Sequence, residues 1–426
     1  MKLQRPRLFK TKKELLVFVS ILAFIFIYSL LIEYNNYKNL TLFDTAVLNA
    51  QVIKQYEKTK LTKSNKQKTY QVLKLKSDEG FSFYTTINKN FSDITGKNIE
   101  LEIKTSNINF YEYLTSFYSY SKILHVDNAI SLKEQINNEI SALHVDEKVS
   151  SIYKALYTAT PLNNELQKIF SNLGVSHLLA ISGFHLGVLA AVLFLLFKTP
   201  YKYLQQRYFP YRSYKVDSFV FISILLLIYL IFLDTPPSLL RAYFMMIIGF
   251  VLYDRGYKII SMQTLLLTVL LLLSFSPRLF FSLGFWLSVS GVFYIFLFLI
   301  HFKTLSKTWQ FVLVPFWVYL MMLPLSLAIF GNFSLYHPLS IIWTTLFTIF
   351  YPLSILLHVA EFADMFDTLL ISFLNLSETN SYVELGYMYL GIHVALSLVS
   401  SFKKQILYFL LFESILIFSY AVYIVT

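Results

Sequence analysis

The sequence predicts a polytopic α-helical membrane protein with an extracytoplasmic small β-barrel (OB-like) domain and lead-in helices. Three observations predict it. The 426 residues are 56% hydrophobic and only 14% charged, with mean hydropathy +0.56, a composition foreign to globular enzymes. From residue 177 onward apolar runs follow one another, each near the roughly 20 residues that a bilayer crossing needs. Before them, residues 33–176 hold no such run and read first as strands and then as helices. Cys is absent, which excludes disulfides and Cys-based zinc sites.

Residues 1–14 form a basic tail with Lys2, Arg5, Arg7, Lys10, Lys12 and Lys13. Residues 15–32 are apolar and long enough for one crossing. The residues that follow, Glu33, Tyr34 and Asn35, make no small-residue cleavage site, so this span reads as a retained anchor. A basic flank stays in the cytoplasm. The N-terminus is therefore expected inside and residues 33–176 outside. Part of the net charge of +11 serves this orientation, and the rest is available to attract a polyanion.

Residues 33–115 carry the expected barrel. Stretches 47–55, 69–76, 81–87 and 99–104 are rich in Val, Ile, Leu, Tyr and Phe, and turn-forming clusters at 77–80 and 95–98 separate them. A five-stranded barrel with one poorly marked strand fits this pattern. Lys54, Lys58, Lys60, Lys63, Lys66, Lys68, Lys74 and Lys76 crowd the first hairpin, interleaved with Tyr56, Tyr70, Phe81 and Tyr84. A basic groove with stacking aromatics is how sequence-tolerant single-strand binders hold nucleic acid. The same residues also fit a solvated hairpin over an aromatic core. Gly96-Lys97-Asn98 lacks the upstream glycine and the Ser/Thr of a phosphate loop.

Residues 116–176 turn to helical period. Ile136, Ile140 and Leu143, then Ile152 and Leu156, then Leu162, Leu166, Ile169, Phe170 and Leu173 recur at threes and fours. These amphipathic helices are expected to pack on the membrane domain.

Residues 177–426 form that domain. Spans are expected near 177–197, 217–233, 239–254, 260–275, 279–300, 310–330, 338–360, 385–400 and 404–425. The loop 198–215 is basic, and Arg255, Lys258, Lys303 and Lys307 fall on the same side in alternation, which makes that side cytoplasmic. Residues 363–377 fit an interfacial segment, one that re-enters the membrane, or a crossing. The charge rule favours the crossing, because Lys403 and Lys404 then fall inside. Asp234-Thr235-Pro236-Pro237 predicts a tight reversal, and Pro315 and Pro324 predict a broken span at 310–330.

The entry to this domain, residues 174–194, stands apart. His177, Ser182 and His185 lie in an otherwise apolar helix, and Gly183, Gly187 and Ala191 recur every fourth residue. Small residues at that spacing make a groove for close helix approach. Polar groups at membrane depth face a protein interior or a wet path. Ser182 and His185 sit side by side on a helix, yet neither a G-x-S-x-G elbow nor a nearby acid completes a hydrolase. His177 and His185 are two turns apart, too far to share a metal without other ligands. Arg241 opens a span with Asp234 across the turn, and Glu413 is a lone acid in the last span. A Walker A sequence is absent, so ATP hydrolysis by that route is not expected.

Residues 177–187, HLLAISGFHLG, closely resemble the HLLAISGLHVG signature of the ComEC-type competence membrane proteins. Ser238-Leu239-Leu240-Arg241-Ala242 resembles that family's S-V-L-R-A element. Residues 276–288 resemble its D-P-x-x-L-F-S-A-G-F-Q-L-S element, with Ser276 and Trp286 in place of Asp and Gln. Leu323-Pro324-Leu325 with Phe330-Gly331 resembles a later one. The resemblance spans roughly residues 45–350. It implies an inner-membrane, multi-pass channel that brings single-stranded DNA into the cytoplasm during natural transformation. His177, Ser182, Gly183, His185, Gly187, Arg241 and Pro324 would then line or shape the path, while Lys54, Lys58, Lys60, Lys63, Lys66, Lys68, Tyr70 and Lys74 capture the strand. It implies no cofactor. The partners implied are single-stranded DNA, a periplasmic DNA-receptor protein, cytoplasmic motor or single-strand-binding proteins, the lipid bilayer and a homo-oligomer. Many family members end in a metallo-β-lactamase-like nuclease domain. No H-x-H-x-D-H cluster occurs here, so a permease core that is not itself an enzyme is expected. A transporter of a small solute or ion, and an intramembrane serine hydrolase, are the competing readings.

Overall fold

The computed structural model describes residues 9, 11–61, 67–127, 129–179, 181–376 and 381–425. Lys63, Lys66 and most of the basic tail lie outside them, as does the side chain of Lys68. Two compact units form. One is Lys13–Asn138 with Leu270–Ser282, and the other is Glu139–Val269 with Leu283–Thr426 and the first residues.

The first unit begins with α1 (Lys12–Leu40). Its 29 residues reach about 43 Å at 1.5 Å per residue, well beyond a hydrocarbon core of about 30 Å. The surplus C-terminal turns belong to the sheet. Leu40 joins the sheet's buried core, and Tyr37 Oη donates to the Ile108 carbonyl at 3.0 Å. The strands are β1 (Thr45–Leu61), β2 (Gln67–Ser77), β3 (Ser82–Ile87) and β4 (Asn98–Lys104), close to the stretches expected. After the short α2 (Phe110–Leu114), capped by an Asn109–Glu112 capping box, come β5 (Phe117–Tyr118) and β6 (Ser121–Val126). Leu73, Leu75, Phe83, Leu101 and Ile103 alternate onto one face and are fully buried.

The expected barrel is corrected here. The sheet is open and six-stranded, in the order β5-β3-β2-β1-β4-β6. Closure needs the two edges to pair. One edge is only two residues long and runs parallel to β3, and the other pairs only with β4.

The second unit contains α3 (Leu132–Leu143, which starts in the first), α4 (Glu147–Thr158), α5 (Asn164–Asn172), α6 (Ser176–Leu179), α7 (Gly183–Tyr208), α8 (Tyr214–Phe232), α9 (Pro237–Asp254) and α10 (Met262–Phe275, which ends in the first unit). It continues with α11 (Leu283–His301), α12 (Lys307–Phe330), β7 (Asn332–Phe333), α13 (Ser340–Val359), α14 (Asp367–Leu374), β8 (Ser381–Tyr382), α15 (Tyr387–Ser400) and α16 (Lys404–Val425). Among the described residues, eight helices are long and apolar enough to cross a membrane. The protein is a multi-pass membrane protein. Local signals explain many helix ends. Asp146 caps α4 and Asn163 caps α5. Asp234 and Thr235 adopt φ of 61° and 52° in the reversal, and Pro237 opens α9 where its missing N–H costs nothing.

Three helical expectations are corrected. The first span starts at Gly183, not at residue 177, because α6 ends at Leu179. The 310–330 span is not broken, since α12 runs through both Pro315 and Pro324. Residues 363–376 hold no helix long enough to cross: α14 has eight residues, about 12 Å of helix.

Candidate functional site

The break before α7 is built by its own residues. Ser182 is the N-cap, its side chain accepting from the Phe184 N–H, while His185 Nδ1 accepts the Ser182 N–H at 3.1 Å. This is a capping box with histidine in the place of the usual Glu or Gln. Ser182 Oγ does lie 3.2 Å from His185 Nδ1, as the hydrolase reading required. That nitrogen is already accepting a backbone proton, and the buried imidazole packs on Phe347 and Tyr351 with no acid behind it. What the pair does in this geometry is cap the start of α7. His177 sits apart on α6, with Nε2 3.1 Å from Thr344 Oγ1 of α13.

Around this helix start, three motif segments that are distant in sequence converge. Ser238 Oγ donates to the Ile181 carbonyl at 3.0 Å. A Cβ on Gly183 would lie 2.8 Å from Ala242 Cβ and 2.9 Å from Arg241 Nη2, so only glycine lets α9 come this close. Arg241 Nε donates to Ser288 Oγ of α11 at 2.9 Å, and Nη1 approaches Met245 Sδ at 3.5 Å. Arg241 is 4% exposed. Among the described residues no ion pair to Arg241 is formed by any carboxylate, Asp234 across the turn included. Burying a guanidinium without a counter-charge is costly, and the positive end of α7 adds to the same field.

The remaining candidates fall elsewhere. Gly187 has nothing within 4 Å of its would-be Cβ, so the glycine stripe is used for close packing only at Gly183. Pro324 is buried inside α12. Glu413 is not alone: its Oε2 lies 2.6 Å from His393 Nδ1, and His393 Nε2 faces the Met321 carbonyl and Tyr294 Oη. The sequence carried no signal for that pairing, because the two residues lie on separate helices.

In the first unit, the register puts Lys54, Tyr56, Lys58 and Lys60 of β1 opposite Lys74, Val72, Tyr70 and Lys68 of β2, with Tyr84 of β3 opposite Lys74. Lys54, Tyr56, Lys58, Lys60, Tyr70, Val72, Lys74 and Tyr84 share the face away from Leu73 and Leu75. The Lys54 ammonium lies 5.6 Å from the Tyr56 ring centre and that of Lys74 5.8 Å from Tyr84. Burial first, and the Lys74 charge second, push Lys54 below the usual lysine range. Phe81 is corrected: it is 1% exposed in the core and offers no stacking face.

No curated protein and no solved structure matches the chain. The sequence model of the family described as "Competence protein" matches residues 159–425. That match covers every segment that meets at Gly183 and Arg241. The chain belongs to the competence protein family, the ComEC/Rec2-like proteins that serve in DNA uptake.

Proposed function

We propose that this protein is the inner-membrane passage through which single-stranded DNA enters the cytoplasm during natural transformation, with residues 33–176 on the periplasmic side. The observation that carries the reading is Arg241, a buried cation without a counter-ion among the described residues, held where three motif segments meet. A phosphodiester moving past would supply the missing negative charge, and the next one would displace it. The Lys54–Lys74 face supports the reading as a surface that captures the strand. Its lysines repel one another until a phosphate lies between them, and its tyrosines offer rings for bases. Inward movement of a polyanion against an interior-negative potential costs about 2.3 kcal/mol per charge per 100 mV. A cytoplasmic motor or single-strand-binding protein is therefore part of the proposal, with a periplasmic receptor delivering the strand.

The test is deletion of the gene in a transformable host. Transformation should be lost while DNA still accumulates at the cell surface in a nuclease-protected form. Normal transformation in the deletion strain ends this reading.

A further inference from the structure

A second polar cluster lies away from the Arg241 site, within the second unit. His144, between α3 and α4, has Nδ1 at 2.9 and 3.0 Å from the two carboxylate oxygens of Asp367, the first residue of α14. His358, near the end of α13, has Nδ1 2.7 Å from the Ser354 carbonyl oxygen. The two imidazoles face each other, Nε2 to Nε2, at 3.0 Å. A carbonyl oxygen only accepts, so His358 Nδ1 must carry a hydrogen. If Asp367 is ionised, His144 Nδ1 must carry one too. Two bare lone pairs would then confront each other at hydrogen-bond distance, which is repulsive. One further proton between the Nε2 atoms resolves this. If Asp367 instead holds a proton and donates it to His144 Nδ1, then His144 Nε2–H donates to His358 Nε2. Both arrangements contain the same number of protons and no net charge.

We propose that His144, His358 and Asp367 form a proton-binding clasp that holds the start of α4 against α13 and α14 only while one extra proton is shared between the two imidazoles. The groups around it are accounted for. On α4, the Tyr153 ring stacks on His144 and stands edge-on to His358, and Tyr157 Oη lies 3.3 Å from His358 Nδ1 and donates to Ser354 Oγ at 2.8 Å. On α13 the facing group is Ser354, and on α14 it is Asp367, the one charged partner among the described contacts.

The closed clasp holds one proton between its histidines. An open clasp, with its imidazoles free of each other, holds two in acid and none in alkali. Linkage then makes closure strongest between those limits and weaker on both sides, by about tenfold in the opening equilibrium per pH unit. A buried neutral histidine pair with a purely structural role loses stability only in acid. The alkaline limb is therefore the distinguishing readout.

The experiment is hydrogen–deuterium exchange of residues 144–158 in the full-length protein in lipid nanodiscs, from pH 5 to 9, corrected for intrinsic exchange. Protection should peak near neutrality and fall on both sides, and His144→Gln and His358→Gln should each flatten the alkaline limb. A wild-type profile flat above pH 7, or variants that keep the wild-type profile, overturns the clasp. Should the variants fail to fold, 15N-histidine NMR on the wild type decides: a scalar coupling between the two Nε2 nuclei is expected, and its absence overturns the proposal. A stoichiometric metal ion whose removal by chelator releases α4 overturns it as well.

Discussion

Gly183 and Arg241 touch so closely that the space for a side chain at position 183 is already filled: a Cβ there would sit 2.9 Å from Arg241 Nη2 and 2.8 Å from Ala242 Cβ. The glycine is thus the condition for placing the guanidinium beside the α7 N-terminus. Gly183→Ala should destabilise the protein by about 1–3 kcal/mol through overpacking and depress transformation. Ala242→Gly in the same chain should recover part of both. Thermal unfolding in detergent and transformation frequency measure the two effects, and an unaltered single variant contradicts the packing argument.

Arg241→Met separates charge from packing. Removing a buried cation that no carboxylate balances should leave stability within about 1 kcal/mol or raise it. Transformation should nevertheless fall about 10- to 100-fold, the worth of one charge-assisted hydrogen bond to phosphate. Loss of both together would make Arg241 a structural residue only.

Ser182→Ala removes an N-cap, which costs about 1 kcal/mol. Because His185 Nδ1 accepts a backbone proton and no acid supports it, DNA uptake should persist at a level set by the amount of folded protein. Complete loss of uptake with normal protein levels would revive the hydrolase reading.

Replacing Lys54, Lys58, Lys60 and Lys74 together by Gln should weaken single-strand binding by the full-length protein. The slope of log K against log salt should become shallower by about 0.7 per lysine. Single-strand titrations at several salt concentrations test this, and an unchanged slope would mean that the face does not touch the phosphates. Lys54 gains its charge at a lower pH than an ordinary lysine, so binding should tighten as pH falls through its titration.

His393→Ala would leave the half-buried Glu413 without its Oε2 partner, and among the described residues its Oε1 has none already. A loss of about 1–3 kcal/mol is expected. Glu413→Gln, which keeps a neutral hydrogen bond, should cost only about 1 kcal/mol. Equal effects of the two substitutions, read by thermal unfolding, would refute a charge-based account.

Much of this molecule was written in short-range signals. Composition and apolar run length determined the membrane class, alternation at 69–76 and 99–104 determined strands, and Asp234-Thr235-Pro236-Pro237 determined a reversal. Each depends on residues within a few positions of one another. What only the tertiary structure decided was which distant residues meet: Gly183 with Arg241 and Ser288, Glu413 with His393, and His144 with His358 and Asp367. It also left the sheet open where a closed barrel was expected. The reason is the solvent. Lipid and protein interior are equally apolar, so the faces of a spanning helix look alike in sequence, and only packing shows which polar side chain has found a partner.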